Sequence, residues 1–263
     1  AGVLIISLLL IRVGIAHFQR EYLLGREIDN LNIRWMGRTF WRNFVGDAQS
    51  LGAWYGNVLG AAFRRILPAL FFMFLIAAVS LWLSYDWIMQ NVSQTVALAS
   101  PEDLQELEDR VRDLPDLANI GDHINAPFLF MNNTRAMGII FLAGLVSFSV
   151  LGILIYMLNI GLIGGIFAMF ELLGLQPVPL FLAGVVPHGM FEIPALMIGS
   201  AVVLYFGAVL VTPQAGKSMG EVILELFADW AKIFIGLVIP LLAIAAVIEA
   251  YITPAILLGA LGN

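Results

Sequence analysis

The run Met137–Leu158, "MGIIFLAGLVSFSVLGILIYML", carries no charged residue over 22 positions, and its reading decides the class of the fold. About 20 apolar residues in a helix cross the ~30 Å of hydrocarbon in a bilayer, so the run reads as a membrane crossing. Ile66–Ile88 and Phe234–Ala250 read the same way. The whole chain is 60% hydrophobic and 12% charged, where soluble domains carry about 25% charged residues. A helix satisfies its own backbone in lipid. The expected fold is therefore an all-α polytopic membrane helix bundle.

Working outward, Asn159 is read as the turn after this crossing, and "GLIGGIFAMFELLGL" as the return. Gly161, Gly164 and Gly165 would then pack the two crossings as a hairpin, as small residues do in membranes. "QPVPLFLAGVVPHG", from Gln176 to Gly189, is broken by Pro177, Pro179, Gly184 and Pro187. Prolines at that density interrupt a regular span, so a re-entrant or interfacial broken helix is expected. Phe191–Val211 and Ile233–Tyr251 complete the core, with Thr212–Ala231 as a cytoplasmic connection that holds an amphipathic helix around "SMGEVILELFADW". Gly2–Phe18 is read as a short membrane helix rather than a cleavable signal, because no basic residue precedes its apolar run. The total is about six crossings.

Charge orients them. Between Gln19 and Arg65 stand Arg20, Arg26, Arg34, Arg38, Arg42, Arg64 and Arg65, against Glu21, Glu27, Asp29 and Asp47. By the positive-inside rule residues 19–65 are cytoplasmic, and the spacing of Leu24, Ile28, Leu31 and Trp35 predicts an arginine-bearing interfacial helix. Eight acids between Gln90 and Asn133 face only Arg110 and Arg112, which places residues 89–134 outside. Within them "SPEDLQELEDRVRDLP" reads as a helix capped by Ser100 and stopped by Pro115. The division expected is 1–65, a membrane helix plus the arginine-rich helix, and 66–263, a membrane core bearing the acidic loop.

Several chemistries are excluded. There is no cysteine, hence no disulfide or thiolate site. The three histidines, His17, His123 and His188, cannot make a His-Glu-x-x-His zinc protease. Ser147, Ser149 and Ser200 lack a glycine-framed nucleophile signature, no nucleotide-binding glycine motif is present, and the acidic loop lacks the ligand spacing of a calcium loop.

What remains are ionisable groups at membrane depth, which cost several kcal/mol unless paired: Glu171, His188, Glu192 and Glu249. His188 and Glu192 share one face of a helix that begins near Pro187. Such a pair can relay protons, bind a metal with further ligands, or neutralise itself while holding a helix to a neighbour through Asn159 or Glu249. Asn132 and Asn133, with Arg135, read as a cap for the crossing that follows.

"NNTRAMGIIFLAGLVSFSVLGILIYMLNIGLIGGIF", "VVPHGMFEIPALMIGSAVVL" and "VIEAYITPAI" together resemble the stage II sporulation protein M family of bacterial and archaeal membrane proteins, over roughly Ile66 to Leu257. Its motifs fall on Asn132, Asn133, Asn159, Gly161, Pro187, His188, Gly189, Glu192, Pro194, Glu249, Thr253 and Pro254. One departure is Ile160, which separates an Asn and a Gly expected to be adjacent. The resemblance implies a non-enzymatic scaffold or transmembrane subunit of a membrane complex in a bacterial or archaeal cell membrane. Expected partners are the lipid bilayer, envelope proteins or an ATPase of the ABC-transporter kind, and further copies of the chain. Nucleic acid is not among them. A transporter or channel with a polar path at His188, Glu192 and Glu249 is the alternative, and an intramembrane enzyme comes third. No catalytic residue, metal or cofactor is assigned.

Overall fold

The computed structural model describes residues 5–12, 32–98, 125–174, 176–212, 214 and 216–261. Among them every regular element is helical. The expected acidic helix at 100–115 lies outside these residues, as does most of the expected crossing at 2–18, of which residues 5–12 are helical. We label the helices α1 Ile33–Val45, α2 Gly60–Leu98, α3 Ala126–Val146, α4 Val150–Leu172, α5 Pro177–Gly184, α6 Val186–Leu210, α7 Met219–Ile233, α8 Ile239–Tyr251 and α9 Thr253–Leu261. Short π-helical segments, Trp54–Leu59 and Phe234–Val238, lead into α2 and join α7 to α8. Among the described residues five stretches are long and apolar enough to cross a membrane: Leu51–Ser93, Ala126–Val146, Val150–Leu172, Val186–Leu210 and Met219–Tyr251.

The structure moves several expected boundaries. The uncharged run that opened the reading is not one crossing, because α3 ends at Val146 and α4 begins at Val150. Phe148 and Ser149 turn the chain at φ 49° and 75°, a region that non-glycine residues seldom occupy. The serines make the turn tolerable in an apolar setting. Ser147 Oγ donates to Ala143 O at 2.6 Å and accepts from Leu151 N at 2.8 Å, while Ser149 Oγ donates to Phe148 O and Ser149 N to Gly144 O at 2.7 Å. Hydropathy averaged along the run cannot register two hydroxyls that replace backbone partners. Asn159 accordingly sits inside α4 and not at a turn.

At its start α3 is capped by Asn125, whose Oδ1 accepts from Phe128 N at 3.0 Å, with Pro127 in the first turn, where its missing N–H costs nothing. Asn132 and Asn133 therefore lie within the helix rather than at its cap. Beyond the expected limit at Ile88, α2 runs on to Leu98. Gln90 Nε2 donates to Asp86 Oδ2 at 2.7 Å and Asn91 Nδ2 to Trp87 O at 2.8 Å, each one turn back. The amphipathic helix expected within the connection at 212–231 is present as α7, which runs on past Ala231. A capping box of Ser218 and Glu221 starts α7 at Met219, as Ser and Glu at that spacing do, and the helical path continues to Tyr251.

The described residues fall into two compact units, one within Ala1–Phe74, Ala136–Tyr156 and Ala195–Pro240, the other within Leu75–Arg135, Met157–Pro194 and Leu241–Asn263. In the first, α1 packs on α7. Asn32 caps α1 through Trp35 N at 3.0 Å, and Gly46, at φ 59°, closes it where a Cβ would press on Val58. An aromatic cluster of Phe141, Phe206, Phe227 and Trp230 fills the interior. Gly152 lets α4 approach α3, since a Cβ there would lie 2.7 Å from Ile140 O.

In the second unit α5 packs on α9. At eight residues and 1.5 Å per residue, α5 reaches only about 12 Å, too short to span. That agrees with the expected broken helix. The glycines of α4 serve a different neighbour from the one foreseen. Gly164 lies against the backbone of Leu81, and Gly161 and Gly165 lie against Ser84, so they seat α4 on α2. The hairpin contact of α3 and α4 rests on Gly152 instead.

Candidate functional site

The Pro187-His188-Gly189 and Glu192-Ile193-Pro194 stretches open α6, with Pro187 in its first turn and Pro194 inside it. Proline in the first turn lacks only an N–H that would have no helical partner. Pro194 removes the N–H that would close on Met190 O one turn back. Gly189 faces only ordinary contacts with Val185 and Ile193. His188 and Glu192 are thus held one turn apart on the same face.

Glu249 lies in the last turns of α8, and Thr253 opens α9 one turn further on. Ile252 N donates to Ile248 O at 2.9 Å, so the path stays helical across the junction. Pro254, just beyond, supplies no N–H to Ala250 O. Two i,i+4 pairs thereby meet in opposite senses. His188 Nδ1 lies 3.3 Å from the buried Thr253 Oγ1. His188, Glu192 and Glu249 each bring a ligand atom within 4.8 Å of the other two.

The His188–Glu192 pair is not a closed contact. Nε2 and Oε2 stand 4.0 Å apart, past the roughly 3.5 Å at which a side-chain hydrogen bond is lost. Their side chains are 15% and 30% exposed, so the cluster is sheltered but reachable. Among the described residues no lysine or arginine pairs with Glu192 or Glu249. Two ionised carboxylates at this separation repel by roughly 3 kcal/mol at an effective dielectric near 20. A proton or a cation is what the space between them calls for.

Other expected residues stand elsewhere. Asn132 is exposed on α3, while Asn133 Nδ2 is buried with no hydrogen-bond partner. Asn159 is half-buried in α4, and Gly161 belongs to the α2–α4 contact. Glu171 is answered by Tyr85, whose hydroxyl donates to Oε2 at 2.8 Å.

Sequence reasoning missed one polar cluster outright. In the first unit Asp229, with its side chain 5% exposed, receives Arg65 Nη1 on Oδ2 and Lys232 Nζ on Oδ1, each at 2.6 Å. The signal was available, since "DWAK" places opposite charges three residues apart inside an apolar helix. It was hidden by reading this segment as a cytoplasmic connection outside the apolar core.

Residues 69–254 match the family model of Stage II sporulation protein M. This covers most of the chain, and the chain belongs to that family. It is also similar to the uncharacterized protein MJ0793 of Methanocaldococcus jannaschii, at 30% identity over 149 residues, which span 54% of this chain and 79% of the relative. No solved structure matches. Family and apolar helices together make this a multipass membrane protein.

Proposed function

We propose that the protein is a non-enzymatic multipass subunit that organises a membrane complex, contacting its partner through α1. One observation carries this reading. Arg34, Arg38 and Arg42 recur every fourth residue along α1 and are all exposed, beside exposed Trp35 and Trp41, while the helix is seated on α7 through its other face. A row of unburied guanidiniums with aromatic neighbours matches an acidic protein surface or an anionic headgroup layer. Positive-inside bias puts this row in the cytoplasm, where an ATPase of the ABC-transporter kind is one partner that fits.

The test is photo-crosslinking in cells from a probe at position 38, with an Arg34→Glu/Arg42→Glu variant as control. Expected is a discrete protein adduct lost in the variant while thermal stability in detergent is kept. Adducts to lipid alone would overturn the reading.

A second reading, transport along a polar path, is favoured by the His188–Glu192–Glu249 cluster, since ionisable groups at membrane depth often mark ion paths. With the arginine row inside, alternation of the spans places this cluster at extracytoplasmic helix ends. Ion flux into proteoliposomes that Glu192→Gln abolishes without unfolding the protein would support it. Absence of any flux would return the cluster to a structural or ligand-binding role.

A further inference from the structure

We infer that His188, Glu192 and Glu249 form a binding site for a single divalent transition-metal ion, with zinc the best-fitting class, and that Thr253 orients the imidazole. The site does not depend on the partner reading above. It is drawn from α6 and α8, and one residue of α9 supports it.

The tautomer of His188 decides which nitrogen is free to bind. Nδ1 of His188 stands 3.3 Å from Thr253 Oγ1, so an Nδ1–H donated to that hydroxyl leaves the Nε2 lone pair on the side of Glu192, 4.0 Å from its Oε2. A lone pair facing a carboxylate is repulsive, and the gap is too wide for a hydrogen bond. Both features become favourable once a cation lies between them. Metal-bound histidines commonly donate their other ring N–H to an oxygen that fixes the ring, and Thr253, buried beneath the imidazole, supplies that oxygen.

Size and donor type narrow the ion. Zinc takes imidazole nitrogen and carboxylate oxygen at about 2.0–2.2 Å in tetrahedral geometry, which sets neighbouring donors about 3.4 Å apart. Donor atoms that now lie within 4.8 Å of one another reach that geometry by closing in by at most about 1.4 Å. Calcium and magnesium prefer six or more oxygens, whereas one imidazole with two carboxylates suits zinc and its neighbours. Charge agrees as well. Two carboxylates balance a dication, and among the described residues neither has a lysine or arginine partner. Three protein donors leave a position open for water or another ligand.

The experiment uses untagged full-length protein in lipid nanodiscs, stripped with chelator and then equilibrated with Zn(II) alone. Elemental analysis should find about one ion per chain, and zinc should raise the melting temperature by several degrees. Glu249→Gln and His188→Asn should abolish stoichiometric retention. Thr253→Val should weaken it by about 10- to 100-fold, the usual cost of losing an outer-shell partner. Should the ligand variants misfold, X-ray absorption on the zinc-loaded wild type decides the question. A light-atom shell containing one imidazole supports the site, and a shell without imidazole overturns it. Failure of the wild type to retain zinc above the level of a folded His188→Asn protein also overturns it.

Discussion

Two polar clusters stand on the long apolar helices of this protein, and they are built on opposite plans. Around Asp229 the carboxylate is bracketed by two cations at 2.6 Å and is almost wholly buried. Around His188 two carboxylates and an imidazole converge, with His188 and Glu192 4.0 Å apart and no lysine or arginine partner among the described residues. The first cluster is closed, because both oxygens of its carboxylate already meet a cation. The second is open, and its two carboxylates lack two positive charges. A closed cluster holds helices together, and an open one has affinity to spare for something that arrives from outside. Finding ionisable residues in a span is therefore not enough to infer function, since the balance of charge within each cluster separates the two cases.

That contrast can be broken most severely at Asp229. Asp229→Asn leaves Lys232 buried beside a neutral amide, and removing one partner of a buried pair costs about 3–5 kcal/mol. Reversible unfolding in mixed micelles should show that loss. A stability close to wild type would mean that the triad is not closed as described. Lys232→Met is milder, because Arg65 still meets Asp229, and a cost of about 1–3 kcal/mol is expected, as for a lost charged hydrogen bond.

The unit that carries the open cluster is not loosely packed, and Gly164 tests this. A Cβ there would run into the Leu81 carbonyl. That obstacle is backbone and cannot rotate away as the methyl of Met137 opposite Gly199 can. Gly164→Val should cost about 1–3 kcal/mol through overpacking, whereas Gly199→Ala should cost less, both read from melting in detergent. Smallest of all is Glu192→Gln in chelator-treated protein. With no hydrogen bond to lose and a like-charge neighbour relieved, its melting temperature should match or slightly exceed wild type. Added zinc should reverse that order by stabilising the wild type alone.

Much of this was legible in the chain, and the misses share a cause. The His188–Glu192 pair follows from helical spacing, and its link to Glu249 was foreseen as one option. Thr253 and the opposed meeting of two i,i+4 pairs depend on which helices become neighbours. The turn at 147–149 was missed because hydropathy measures transfer to lipid, whereas a turn needs only local hydrogen-bond partners, here two serines. Asp229 and Lys232 were missed for a related reason. A charged pair reads as a solvated face until the helix that carries it is seen to continue, buried, toward Tyr251.

The sequence by itself determined that this is an all-helical membrane protein. An apolar run in lipid has no other economical way to satisfy its backbone, and the family motifs lie in those runs. Only the tertiary structure decided which charges are answered. Counter-charges such as Arg65 and Asp229 lie 164 residues apart, and electrostatic balance depends on distance in space rather than along the chain. The same holds for Glu249, which becomes a neighbour of His188 only in the folded chain.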